Sequence, residues 1–185
     1  MIHSVNSRLG LALAATPWEV RGGTEVFTKG IPIHMKKRML NINEVDVTQE
    51  PVIYTCYGLG SCIGLFVMDR TKGLTGGAHI PLPSASDTGE FLGASRLINE
   101  LLGSFSLMGS DLHCLRAKVT GGARVYESSL NIGEQTAEMV LKKLIDLRVY
   151  IAGIDVGGKI SRTARFNSVT GELKISTSEM KTYSI

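Results

Sequence analysis

Cysteine, aromatic residues and long apolar runs are all scarce in this 185-residue chain, and each scarcity excludes a class of protein. The three cysteines, Cys56, Cys62 and Cys114, are odd in number and form no C-x-x-C pair, which argues against a disulfide framework and a paired-cysteine zinc site. Free thiols are maintained in a reducing compartment, so the expected location is cytoplasmic. No apolar stretch reaches the ~20 residues that cross a bilayer, which excludes an integral helical membrane protein. Arg8 followed by apolar residues 9–15, with Ala12 and Ala14 in A-x-A spacing, imitates a secretory leader but is short for one. Aromatics are 6% of the chain and no basic run is interleaved with them, so the formal charge of +3 does not outline a nucleic-acid surface.

Hydrophobic residues make up 43% and charged residues 20%, the balance of a globular domain. Residues 1–38 lack periodicity, carry Pro17, Gly22, Gly23, Gly30 and Pro32, and read as an irregular N-terminal extension. Residues 39–185 read as the folded domain. Strands are predicted at 52–57, 62–68, 74–80, 112–119 and 149–156, with a closing hairpin of 162–167 and 172–176 around residues 169–171. One helix is predicted over 94–107. A second starts at Asn131, its N-cap, with Glu134 as capping-box partner and Ala137, Val140, Leu141, Leu144 and Ile145 facing the sheet. Two helices among unevenly alternating strands predict an α+β fold, a mixed β-sandwich flanked by the helices.

Gly58-Leu59-Gly60-Ser61-Cys62 places a thiol directly after a glycine turn, where the Gly60, Ser61 and Cys62 backbone offers N–H groups to a developing oxyanion. From this local pattern alone Cys62 reads more simply as a small buried hydrophobe opening a core strand. His79 ends the neighbouring predicted strand, just before Pro81 and Pro83 lead the chain out of the sheet. A histidine there serves as a base for a cysteine nucleophile or as a hydrogen-bonded core residue. Gly153 to Lys159 spells G-x-x-x-x-G-K, yet Ile160 stands where a phosphate-binding loop needs Ser or Thr, and a strand rather than a helix follows. The cysteines and histidines fit no recurrent metal-ligand spacing, so neither metal nor other cofactor is expected.

Gly58 to Cys62, Gly77-Ala78-His79, Leu82-Pro83, residues 118–123, Asn131-Ile132-Gly133-Glu134, Asp155-Val156-Gly157-Gly158, Arg165-Phe166-Asn167 and Thr170-Gly171-Glu172 together resemble the CheD family of chemoreceptor glutamine deamidases. The resemblance runs from about Leu40 to the end. It implies a fold akin to toxin-type cysteine deamidase domains, with Cys62 as nucleophile and His79 as base. It further implies that methyl-accepting chemotaxis receptors are the substrates and that a CheC-type phosphatase is a partner. The Cys-His pair would ionise the thiol at neutral pH.

One position departs from the family pattern. The threonine usual six residues before the nucleophile is replaced by Cys56, with Thr55 one residue earlier. Adjacent strand residues face opposite ways, so Thr55 substitutes only if a bulge re-aims it, and a thiol is a poor orienter for imidazole. A non-catalytic module binding receptors or the phosphatase is therefore the alternative reading. A small-amide hydrolase is a third, turning on the loop at 84–93.

Overall fold

The computed structural model describes residues 18–21, 25–28, 31–84, 93–125 and 131–185. The leader-like segment 9–15 and the interior of the 84–93 loop lie outside the described residues. The chain divides into two units, 1–35 and 36–185. In the first, Trp18–Arg21 (β1), Glu25–Thr28 (β2) and Ile31–His34 (β3) form an antiparallel meander where the sequence predicts irregular chain. Gly22, Gly23 and Gly30, read as breakers of order, lie outside the described residues. The second unit starts at Lys36 because Lys36–Met39 (β4) is one of its strands, pairing in parallel with β6, Val52–Leu59.

Val45–Thr48 (β5), Ile63–Asp69 (β7), Leu74–Ile80 (β8), Arg116–Gly121 (β9) and Tyr150–Val156 (β10) build a five-stranded sheet in the order β10-β9-β7-β8-β5. Arg162–Asn167 (β11), Leu173–Thr177 (β12) and Thr182–Ser184 (β13) join β6 and β4 in a second, ordered β13-β12-β11-β6-β4. The helices are Ala94–Leu107 (α1) and Ile132–Asp146 (α2). The architecture is α+β with two mixed sheets.

Strand alternation sorts the core into two layers. Ile63, Leu65 and Val67 of β7 pack with Leu74, Ala78 and Ile80 of β8 against Leu97, Ile98, Leu101 and Val140 of the helices. From the opposite face of β7, Phe66 meets the second sheet, stacking on Phe166 with ring centroids 5.4 Å apart. Every residue of β7 is buried, as a strand covered on both faces must be.

Three local expectations differ. Residues 112–114 form a 3₁₀ turn instead of strand, because the Asp111 carboxylate accepts the His113 N–H and draws the backbone out of the ladder until Arg116. Ile145 is 64% exposed, since the buried stripe of α2 runs through Gly133, Thr136, Ala137, Val140 and Leu144. The capping box is also incomplete. Asn131 donates its side-chain amide to the Glu134 carboxylate and leaves the helix N–H groups without a side-chain cap.

Candidate functional site

Residues 60–62 are not a hairpin turn between paired strands; they carry the chain from one sheet to the other. Cys56 stands opposite Ala164 and Leu59 opposite Arg162, so β6 holds one residue more than β11 over this stretch. That bulge takes Gly58 to φ +63°, where glycine escapes the Cβ penalty. Cys62 follows at the crossing, immediately before β7.

The crossing is clamped by the residues that follow β9. The Gly122 N–H donates to the Cys62 carbonyl at 2.9 Å and the Ala123 N–H to the Gly60 carbonyl at 2.6 Å. Gly121 has φ +118°, and a Cβ there would stand 2.1 Å from the Cys62 carbonyl oxygen, so only glycine fits. The clamp is tied in turn to residues 157–158: the Gly157 N–H donates to the Gly121 carbonyl at 2.9 Å and the Arg124 N–H to the Gly158 carbonyl at 2.8 Å. Buried Arg162 fastens that turn, donating to the Asp155 carbonyl and the Gly157 carbonyl, each at 2.6 Å, and to the Asp155 carboxylate at 3.0 Å.

Half-buried Cys62 lines a solvent-open cavity of about 470 Å³ with Gly60, Ser61, Ala123, Arg124, Val125, Ser161 and residues 131–133. The last three are the start of α2, so the helix presents its uncapped N-terminal turn to the cavity. The positive end of the helix dipole there favours negative charge on a thiolate or an oxyanion.

His79 pairs in the ladder with Gly64, two residues beyond Cys62, and points toward the inter-sheet side where Cys56 and Cys62 also pack. It is 4% exposed and does not line the cavity. Its Nδ1–H donates to the Leu40 carbonyl at 3.0 Å, while Nε2 is buried with no hydrogen-bond partner. Burial pushes the imidazole below its ordinary pKa, partly offset by the Leu40 bond and the Glu44 carboxylate. Burial pushes the Cys62 thiol up. No hydrogen bond joins the two groups, and burial works against the ionised pair that the sequence predicts. Desolvation disfavours both charges at once.

Cys56 is fully buried, its thiol pushed up by burial and then by Cys62. Thr55 sits in regular register opposite Arg165, and the bulge falls after it, so its side chain is not re-aimed. The Thr55 carbonyl instead accepts the Leu40 N–H at 2.8 Å. Sequence reasoning did not single out Gly121, Leu40 or Arg162 as parts of the site. The Gly121-Gly122 pair is a visible signal within the family-like residues 118–123; a carbonyl acceptor such as that of Leu40 leaves no residue-type signal. Among the described residues, no group of three or more His, Cys, Asp or Glu side chains is arranged to hold a metal ion.

Comparison with known proteins gives one family. Residues 82–177 match the model described as CheD chemotactic sensory transduction. The chain is 31% identical over 142 residues to the chemoreceptor glutamine deamidase CheD of Thermotoga maritima, covering 75% of this chain and 90% of that one. It is 33% identical over 144 residues to the protein of the same name from Halalkalibacterium halodurans, covering 72% and 89%. It is also 36% identical over 126 residues to a probable chemoreceptor glutamine deamidase of Methanosarcina acetivorans, where it spans 66% of this chain and only 57% of the relative's length. Among solved structures, YlmD of Geobacillus stearothermophilus aligns with TM-score 0.44 at 14% identity, over 63% of this chain and 51% of that one. The Bacillus licheniformis protein YfiH aligns with TM-score 0.42 at 12% identity, over 60% and 50%.

Proposed function

The chain belongs to the CheD family, and we propose that it is a protein-glutamine deamidase of methyl-accepting chemotaxis receptors, with Cys62 as nucleophile and His79 as general base. One observation carries the reading: a thiol held at a glycine-built corner opens onto a cavity, with an unpartnered imidazole nitrogen on its inter-sheet side.

The chemistry follows from these groups. As the Cys62 sulfur attacks the γ-carboxamide carbon of a substrate glutamine, His79 Nε2 takes the thiol proton. The Ser61 and Cys62 N–H groups make no hydrogen bond among the described residues, leaving them available to the oxyanion, with the start of α2 adding favourable field. His79 returns the proton to the departing nitrogen, and ammonia leaves. Water deprotonated by His79 then attacks the thioester; glutamate departs and Cys62 recovers its proton. The closing of Nε2 onto sulfur belongs to the substrate complex, since catalytic hydrogen bonds are often long in the free enzyme.

The same reading makes a cytoplasmic location and a CheC-type phosphatase partner parts of the proposal. The kinship implied is with toxin-type cysteine deamidase domains. The second reading, a non-catalytic receptor- or phosphatase-binding module, is favoured by one observation: burial raises the Cys62 thiol and no ion pair opposes it. Ammonia release from receptor cytoplasmic fragments, with the accompanying amide-to-acid mass gain, separates the two. The deamidase reading expects activity in wild type and its loss in Cys62→Ala and His79→Ala. Receptor binding without turnover by wild type sinks it.

A further inference from the structure

One five-residue segment grips His79 by side chain and backbone together. The imidazole Nδ1–H donates to the Leu40 carbonyl at 3.0 Å, the His79 N–H donates to the Glu44 carbonyl at 3.1 Å, and the His79 carbonyl accepts the Asn43 N–H at 3.0 Å. The segment is closed on itself. Its Glu44 carboxylate accepts the Asn41 N–H at 2.7 Å and the Asn41 side-chain amide at 3.0 Å, and the Glu44 N–H donates to the Asn41 carbonyl at 3.0 Å. Leu40 is anchored at both ends of its peptide plane's neighbourhood, by its N–H on the Thr55 carbonyl at 2.8 Å and by its side chain in the inter-sheet core.

We infer that Leu40, through its carbonyl, is the group that orients the catalytic imidazole in this chain, and that the Asn41–Glu44 clamp is the positioning device that aims that carbonyl. The inference rests on the reading of His79 as base. An imidazole that donates from Nδ1 keeps its lone pair on Nε2, the nitrogen with no partner and the one a base must use. Cys56, at the position where the family carries threonine, makes no side-chain hydrogen bond among the described residues, and a thiol is a weak partner in any case. With a main-chain acceptor in place, the departure at Cys56 removes nothing the base requires. Thr55 contributes through its carbonyl, for which the direction of its side chain is irrelevant.

The test combines imidazole ¹⁵N spectra of the full chain at neutral pH, with His79 assigned by comparison with His79→Gln, and ammonia release from receptor fragments. Wild type should show the Nδ1–H tautomer alone. Glu44→Ala, at an exposed position, opens the clamp; the tautomers should mix and kcat should fall on the order of tenfold with KM unchanged. Glu44→Gln keeps an acceptor for Asn41 while removing the charge, and should restore the single tautomer and most of kcat. Cys56→Ala should leave the tautomer as it is. The inference is overturned by an Nε2–H tautomer in wild type, by loss of the Nδ1–H tautomer in Cys56→Ala, by a Glu44→Ala protein unchanged in both readouts, or by Glu44→Gln behaving as Glu44→Ala. A wild type that shows the Nδ1–H tautomer and its dependence on Glu44, yet releases no ammonia, upholds the orientation and sinks the deamidase reading.

Discussion

The Gly122 N–H donates a 2.9 Å hydrogen bond to the carbonyl of Cys62, so the backbone of the proposed nucleophile is positioned by the residue just past β9, which contributes no reactive side chain. The preceding residue makes this approach possible, because a Cβ on Gly121 would lie 2.1 Å from the same carbonyl oxygen.

Gly121→Ala therefore forces the corner apart while leaving Cys62 and His79 in place in the sequence. It should lower the melting temperature and abolish measurable ammonia release, because the displaced backbone carries the proposed oxyanion donors. Thermal unfolding followed by circular dichroism and the receptor-fragment assay check both effects. A protein of wild-type stability and activity would show that β9 does not set the site.

Thiol reactivity follows burial. Exposed Cys114 should alkylate first, half-buried Cys62 more slowly, and Cys56 only on unfolding. Because burial raises Cys62, its rate with iodoacetamide should climb through neutral into alkaline pH without levelling off near neutrality. Peptide mapping by mass spectrometry gives the three rates separately, and a plateau near pH 7 would contradict a raised thiol.

His79 links acidity to stability. Burial holds its folded-state pKa below the ordinary 6.5, so the unfolded chain takes up a proton that the native chain refuses as pH drops past 6.5. The contribution is complete above that value and is lost as pH falls toward the lowered one. Urea midpoints measured at pH 7 and pH 5 should draw closer together in His79→Gln than in wild type. Equal separations would show that the imidazole is not held neutral.

Arg162 and Asp155 form an ion pair with side-chain exposures of 7% and 22%, and the same guanidinium satisfies two carbonyls. Arg162→Ala should cost about 3 kcal/mol, since it strands two part-buried carbonyl acceptors as well as a carboxylate. The double variant with Asp155→Ala should cost less than the sum of the single changes. Urea titration measures this. Turnover should fall with stability, because the 157–158 turn holds the Gly121 clamp.

Local signals in the sequence carry far in this fold. The periodicity of Leu97, Ile98, Leu101 and Leu102 places α1 at residues 94–107, and the apolar run with its proline exit places β8 at 74–80. The final hairpin is equally legible, its turn built by Asn167 accepting the Val169 and Thr170 N–H groups. Strands β4, β5 and β13 escape notice because three or four residues do not make a pattern, and β4 and β13 are largely exposed edges. Nothing local reveals that β6 and β7, joined by three residues, belong to different sheets, since sheet membership is decided by partners such as β11 and β9 far along the chain.

The sequence alone determined which residues are proposed to bear the chemistry: Cys62 after its glycines, His79 before its prolines, and the departure at Cys56 are facts of residue type and spacing. Tertiary structure decided their state. Whether a thiol and an imidazole ionise depends on how much water and charge surround them, and that is set by two packed sheets, not by neighbours in sequence. The orientation of His79 is likewise tertiary. Its acceptor is a main-chain carbonyl 39 residues away, a group every residue carries and only the fold can single out.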